Sequence, residues 1–354
     1  MQVALEWAAQ GLFTTTPNPR VGCVLVKDSN IIGTGFTQPA GQAHAEVQAL
    51  HDAVQRGHTV RGATAYVTLE PCNHHGRTPP CTDALIEAGV ARVVAAIRDP
   101  NPLVAGQGLA RLQAAGIEVV AGVLENVARE MNIGFFSRME RGRPWVRMKA
   151  AASLDGKTAL YDGQSQWITS EAARNDGHRW RAQACAILTG IGTVNQDDPH
   201  MTVRGVDTPR QPRRIVVDSK LQISPQARIL DGGGAWVVTA ISDPLKEAQL
   251  QARGVEIIRL PNAWGKVDLP ALLLELGRRQ INELHVEAGS RLNGALIEAD
   301  CVDELLLYLA PSLLGDAQGL FAMRAPSTLD ASRKLKFHDI KQIGADVRIL
   351  ARFI

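Results

Sequence analysis

The sequence predicts two α/β domains in tandem, and three observations point that way. The chain has 354 residues, 45 % of them apolar, which exceeds what one hydrophobic core comfortably organises. Short β-rich runs alternate with helical patterns along almost the whole length. A charged, Gly/Pro-punctuated stretch from Arg138 to Pro144 interrupts that alternation and sets the expected boundary, with domains at 1–143 and 144–354.

In the first domain, residues 3–12 read as a helix, and 21–26 and 31–36 as strands around a polar Asp28-Ser29-Asn30 turn. A helix follows from about residue 43, with Val47, Leu50 and Val54 on one face. Residues 64–69 and 92–97 read as strands, with helices beginning near Pro80 and over 107–115, which makes a three-layer arrangement. In the second domain, strands are expected at 145–151, 185–190, 214–218, 235–239, 255–259, 283–287 and 303–310. Helices fall near 171–183, 245–252, 268–279 and 291–299, and two strands near 335–351 close a mixed sheet. The glycines at 232–234 read as a turn.

Composition narrows the function. A formal charge of +2 with no run of five like charges offers no field for nucleic acid, so a small-molecule ligand is expected. No segment approaches the ~18 consecutive apolar residues of a membrane helix, and the N-terminus lacks a signal-peptide pattern. A cytoplasmic protein with no membrane partner is expected. Five cysteines, an odd number, do not form a disulfide framework. Cys23, Cys185 and Cys301 sit in apolar surroundings and read as buried small hydrophobes.

Cys72 and Cys81 belong to a different pattern. His44-Ala45-Glu46 is followed by Pro71-Cys72, a loop Asn73-His74-His75-Gly76-Arg77-Thr78-Pro79-Pro80, and Cys81. One imidazole and two thiolates are the three ligands of a catalytic zinc that keeps its fourth position for water. The alternative is a structural zinc with His74 or His75 as fourth ligand. Residues two apart share no helix face, so His44 and Glu46 can address one metal only from a helix end. Thr78-Pro79-Pro80 reads as a helix start, which places Cys81 in a first turn, where the helix dipole favours thiolate. A carboxylate beside zinc-bound water can shuttle its proton, and Glu46 fits that role. His-x-Glu with Pro-Cys is a signature of zinc deaminases acting on nucleobases, except that eight residues separate these cysteines rather than two. The intervening loop then lies beside a substrate, or is merely solvated.

Those motifs, with Thr16-Pro17-Asn18-Pro19-Arg20-Val21-Gly22, closely resemble the bifunctional riboflavin-biosynthesis deaminase/reductases, over essentially the whole chain. Asn73 stands where that family usually has serine. The resemblance implies a cytidine-deaminase-like domain followed by a dihydrofolate-reductase-like one. It implies one zinc per chain on His44, Cys72 and Cys81, Glu46 as catalyst, and Asn18, His74 and Arg77 on the substrate. The implied partner is a phosphorylated pyrimidine, and the protein is expected to be a homo-oligomer.

Residues 145–354 say less unaided. No Gly-x-Gly-x-x-Gly supports a Rossmann domain. Gly190-x-Gly192 and the turn at Gly289 could bring backbone to a cofactor or phosphate, or be ordinary strand-to-helix turns. His285 reads as a packed or solvent-facing residue. By resemblance, 149–157, 165–169 and 189–204 match the reductase half, which uses NADPH. The cofactor would then touch Ala151, Trp167, Thr193, Asp197, Ser219, and the run Gly289, Ser290, Arg291, Leu292, Asn293, Gly294 and Ala295. Substrate would touch Lys149, Ser165, Arg181, Met201, Arg204 and Glu287. Arginine forks suit a ribose phosphate, although either arginine could be a surface residue. Two other classes stay open: an RNA-editing deaminase, which the 5 % aromatic content disfavours, and a zinc-stabilised binding protein with no use for Glu46.

Overall fold

The computed structural model describes residues 1–74, 79–102 and 104–354. The chain divides into two compact units, Met1–Gly142 and Arg143–Ile354. In the first, β1 (Gly22–Lys27), β2 (Asn30–Phe36), β3 (Thr64–Val67), β4 (Arg92–Ala95) and β5 (Glu118–Ala121) form a sheet of order β2-β1-β3-β4-β5. β1 is antiparallel to both neighbours, whereas β3, β4 and β5 are parallel. The helices are α1 (Gln2–Gln10), α2 (Ala45–Gln55), α3 (Cys81–Glu87), α4 (Gln107–Ala114), α5 (Glu125–Met131) and α6 (Ile133–Arg141).

Glycines decide how the first two helices lie. A Cβ on Gly22 would meet the backbone of Ala4 and Ala8 on α1, whereas Cβ atoms on Gly33 and Gly35 would meet the α2 backbone at Ala49 and Ala45. Gly35 pairs with Cys23, the residue after Gly22, and successive strand residues face opposite sides. α1 and α2 therefore cover opposite faces, which is the three-layer arrangement expected. The buried stripe of α2 is Ala45, Ala49 and Ala53, not Val47, Leu50 and Val54. Val54 is 68 % exposed. Hydrophobicity alone pointed to the larger side chains, but the glycines of β2 draw the helix so close that only methyl groups fit beneath it.

β5, α5 and α6 had no counterpart in the sequence reading. The charged stretch taken as a linker is helical through Arg141, and Gly142, left-handed at φ 69°, ends it.

The second unit contains β6 (Trp145–Ser153), β7 (Lys157–Ala159), β8 (Ala186–Gly190), β9 (Arg213–Val217), β10 (Trp236–Thr239), β11 (Glu256–Arg259), β12 (Glu283–Val286), β13 (Glu304–Ala310), β14 (Gln318–Gly319), β15 (Leu335–Ile343) and β16 (Asp346–Phe353). Its helices are α7 (Glu171–Gln183), α8 (Ile191–Asp197), α9 (Pro244–Gln251), α10 (Leu269–Arg278) and α11 (Ser290–Glu298). The main sheet runs β11-β10-β9-β8-β12-β6-β13-β16-β15, parallel from β11 to β13 and antiparallel beyond, so it is mixed as expected. The chain leaves β6 for β8, moves outward to β11, then returns β12 to the gap between β6 and β8. Ligands of open α/β sheets bind outside the carboxyl ends of strands at such a reversal. Short β7, β14 and α8 escaped the sequence reading. No helix of the described residues is long and apolar enough to cross a membrane.

The α2–β2 packing yields a test. Gly33→Ala would set a methyl 2.3 Å from the Ala49 carbonyl oxygen, and should cost roughly 1–3 kcal/mol by overpacking. Gly177, in α7, has open space around its Cβ position, and its replacement by Ala should be neutral or stabilising by up to ~1 kcal/mol. Urea unfolding of the two variants should separate them in opposite directions; equal destabilisation would contradict the close approach.

Candidate active sites

In the first unit, His44 is the N-cap of α2, Cys81 opens α3, and Cys72 lies on the segment after β3. Among the described residues these three are the one cluster of metal-ligating side chains, their donor atoms all within 4.8 Å of one another. His44 Nδ1 lies 3.3 Å from Cys81 Sγ and 3.6 Å from Cys72 Sγ. Ligands at the usual zinc distances and tetrahedral angles lie roughly 3.5–3.8 Å apart, close to the separations of His44 from the two sulfurs, so the donor set suits that ion. The Cys81 N–H donates to Cys72 Sγ at 3.3 Å. Hydrogen bonding from Cys81, aided by His44, pulls the Cys72 thiol down to about 4, while that bond, burial and the charge of Glu46 push Cys81 up. Cys72 is thus poised as anionic sulfur, the form a metal takes, while Cys81 holds its proton as the partner of that anion.

Glu46, in the first turn of α2, is 3 % exposed. Burial, reinforced by the charge of Cys72, pushes its carboxyl up to about 7. A carboxyl in that range accepts and returns protons near neutrality. It stands beside the ligand trio without joining it.

Two further groups hold this site, Glu70, which the sequence reading overlooked, and Asn73, which it noted only as a departure from the family. Glu70, 3 % exposed, accepts the backbone N–H groups of Asp99 (3.2 Å), Gly106 (2.9 Å), Gly108 (2.9 Å) and Leu109 (3.3 Å), tying the start of α4 to the segment that leads into Cys72. Asn73 Oδ1 accepts from Thr82 Oγ1 at 3.1 Å and Arg111 Nη1 at 2.9 Å, and Arg111 also pairs with Asp83. The amide thereby anchors α3 and α4 beside a ligand. Asn18 is half-buried in a turn closed by its N–H to Thr15 O. His74 is exposed and outside the trio, and His75 and Arg77 lie outside the described residues.

In the second unit, the substrate residues expected on β6, α7, the 201–204 segment and β12 come together. Arg181 grips Glu287 with a fork, Nε to Oε1 at 2.5 Å and Nη2 to Oε2 at 2.9 Å, while Lys149 Nζ lies 3.8 Å from Oε2. Arg181 also donates to Thr202 O at 2.9 Å and approaches Met201 Sδ at 3.9 Å. Although burial opposes it, the charges of Arg181 and Lys149 hold Glu287 well below the usual carboxylate range. His285 is packed, 1 % exposed, with Nε2 3.2 Å from Glu287 Oε1, and burial lowers its pKa. His178, which the sequence reading missed, accepts the Arg204 N–H through Nδ1 at 3.2 Å. Its signal was spacing: it precedes Arg181 by three on one face of α7.

The residues expected at a cofactor are spread over several segments. Gly190 and Gly289 are N-caps of α8 and α11 after adjacent parallel strands, and Thr193 Oγ1 comes within 3.8 Å of where a Gly289 Cβ would stand. Two helix N-termini thus open at the carboxyl ends of β8 and β12. Within 289–295 the roles divide. Asn293 Nδ2 donates to Ala288 O, Gly294 abuts the Ala322 backbone and Leu292 packs on Gly190, while Ser290 takes a hydrogen bond from Gln318. Arg291 is exposed, and Ala295 packs partly buried against the core. Ala151 on β6 packs beside Tyr308. Trp167 is exposed with the Arg174 guanidinium over its ring, and Asp197 ends α8. Ser219 Oγ, after β9, accepts the Val267 N–H. Ser165, Trp167, Asp197 and Ser219 take no part in the hydrogen bonds around Glu287.

If the trio holds the metal, Cys72→Ser should lose zinc on purification, whereas Cys185→Ser, in the second unit, should keep it at one per chain. Elemental analysis decides; equal zinc in both would refute the ligand set.

Residues 1–97 match the family described as the cytidine and deoxycytidylate deaminase zinc-binding region, and residues 144–349 match the RibD C-terminal domain. The chain is 49 % identical to riboflavin biosynthesis protein RibD of Escherichia coli, over 98 % of this chain and 96 % of that one. Against the Haemophilus influenzae RibD the identity is 45 %, covering 99 % and 95 %. Among solved structures, Acinetobacter baumannii RibD superposes with a TM-score of 0.90 at 40 % identity, covering 100 % of this chain and 97 % of that chain.

Proposed function

The chain belongs to the RibD family and is a bifunctional deaminase and reductase of riboflavin biosynthesis, and from that premise we propose which residues carry each reaction. The carrying observation is a buried carboxyl, Glu46, beside a His-Cys-Cys trio whose donor atoms lie within 4.8 Å.

His44, Cys72 and Cys81 would hold zinc, which when bound would supply a water acidified toward pKa ~7 for addition to the amino-bearing carbon of 2,5-diamino-6-ribosylamino-pyrimidinone 5′-phosphate. Glu46 would carry the two protons of that water in turn, one to the ring nitrogen and one to the departing ammonia. Asn18, His74 and Arg77 contribute to holding the substrate. Burial supports the shuttle, because a carboxyl near 7 can serve in both directions.

In the second unit the ribosyl side chain of the deaminated product is reduced to ribityl. NADPH, when bound, supplies the hydride. Its phosphates suit the helix N-termini at Gly190 and Gly289, with Ala151, Trp167, Thr193, Asp197, Ser219 and the remainder of 289–295 completing the cofactor's surroundings. Lys149 is the candidate to protonate the opening sugar, and the ionised Glu287 beside it is the candidate to polarise it. Ser165 and Met201 line the substrate. Arg181, engaged by Glu287 and Thr202 through three of its five N–H groups, and the exposed Arg204 both contact the substrate, and Arg204 suits its phosphate. The same reading takes the enzyme as cytoplasmic and homo-oligomeric.

Incubation with the diaminopyrimidine phosphate, with and without NADPH, followed by mass spectrometry, tests the sequence of steps: deaminated product accumulates without NADPH and the ribityl compound appears with it. Glu46→Gln should keep its zinc and lose ammonia release by about 10²–10⁴-fold. Given the deaminated intermediate, that variant should still oxidise NADPH at near the parent rate. Loss of both activities with zinc retained would refute the separation of the sites.

A further inference from the structure

The segment 201–204 is fastened by side chains rather than by backbone pairing. Thr202 O accepts from Arg181 Nη1 at 2.9 Å; Val203 N donates to Gln211 Oε1 at 2.7 Å, and Val203 O accepts from Gln211 Nε2 at 3.4 Å; Arg204 N donates to His178 Nδ1 at 3.2 Å. Met201, at the head of the segment, is buried with φ 51°, a left-handed conformation that a non-glycine residue holds only when its surroundings impose it. Such fastening implies that the direction of the segment matters, and Arg204 is its exposed charged end.

We infer that His178 is a positioning residue for the reductase: through Nδ1 it fixes the backbone of Arg204 and thereby aims that guanidinium at the substrate phosphate. This rests on the phosphate role proposed for Arg204. His178 and Arg181 lie three apart on α7, so a single helix face supplies an acceptor for one end of the segment and a donor for its middle. With Nδ1 accepting, the neutral ring carries its proton on Nε2. Burial, then the charges of Arg181 and Arg204, lower His178 to about 4, so the acceptor persists through any ordinary assay pH. The ring can bear no charge to the substrate; its contribution is geometric.

Asparagine places an amide oxygen near the position of Nδ1, whereas glutamine reaches toward Nε2 and leaves the Nδ1 position without an acceptor. NADPH oxidation by the full-length enzyme is therefore measured for His178→Asn, His178→Gln, His178→Ala and Arg204→Ala. The substrates are the deaminated ribosylamino phosphate and its dephosphorylated counterpart. His178→Gln and His178→Ala should raise KM for the phosphorylated substrate by about tenfold with kcat within about twofold, leave the dephosphorylated substrate unaffected, and lose the effect in His178→Asn. Arg204→Ala should show the same phosphate-specific rise. If Arg204→Ala raises KM and His178→Gln does not, the positioning role is overturned while the phosphate reading stands. If Arg204→Ala changes neither substrate, both fall. An equal rise for both substrates in the His178 variants, or a defect in His178→Asn as large as in His178→Gln, also overturns the inference, because it would mark a general loss of packing.

Discussion

The first unit depends on one constraint: two helix starts must bring an imidazole and a thiol to within bonding reach of the same point. His44 caps α2 and Cys81 opens α3, and their donor atoms meet at 3.3 Å. Neither helix can shift along its axis by one residue, about 1.5 Å, without breaking that convergence. The sheet enforces the placement. Gly33 and Gly35 on β2 remove the side chains that would lift α2, and the alanine stripe of α2 lets its backbone settle against the strand. The same close approach explains why Glu46 is almost fully buried, and burial is the largest cause of its raised pKa. A carboxyl pushed up to about 7 is thus a consequence of glycine and alanine placement.

The second unit solves a different problem, keeping a buried carboxylate ionised. Glu287 is opposed by desolvation and rescued by the Arg181 fork and Lys149. The arrangement gives Arg181 a second task as well, bonding Thr202 O. A deeper network of the same kind lies in the sheet, where Arg147 joins Glu304 at 2.5 Å and Glu283 at 3.3 Å beneath the Trp180 ring, and Arg352 shares Glu304. These ions sit on β12, β6, β13 and β16, which are consecutive in the sheet, with Arg147 on β6 between its two glutamates. Removing one partner would strand a buried charge, so the network specifies which strands pair more than it adds stability.

Much of the fold was legible because its periodicities are strong. The seven parallel strands of the main sheet and their long helices fell within one or two residues of their expected bounds, since strands buried on both faces read as continuous apolar runs. What escaped was short or polar. β7 and β14 are a two-stranded pair, α8 is a seven-residue helix directly after a strand, and α5 and α6 carry charges that mimic a linker. The face of α2 was misread for a sharper reason: alanine contributes little to a hydrophobic pattern, yet it is what a glycine-lined strand requires. Whether a stripe is a core face depends on what lies opposite, and here that information lies ten to twenty residues away on the preceding strand.

The two sites also differed in legibility, and their chemistries explain why. Hydrolytic deamination needs a metal and a proton carrier of fixed chemical type, so His, Cys and Glu must appear, in short local motifs, because helix starts and tight loops are the economical way to aim several ligands at one point. Hydride transfer to a sugar asks the protein chiefly for orientation and charge placement, the hard chemistry residing in the cofactor. Orientation can be supplied by any backbone group or side chain at the right place. The corresponding residues are accordingly scattered, Lys149 on one strand, Arg181 on a helix, Glu287 after another strand, and they assemble only when β12 returns to the gap beside β6. His178 and Gln211 illustrate the limit of sequence reading: each bonds only backbone groups of the 201–204 segment among the contacts that fasten it, and beyond the three-residue spacing of His178 from Arg181 on α7 nothing in residue type distinguishes such a role from that of any polar surface residue. A site built on orientation becomes visible only when topology has brought its parts together.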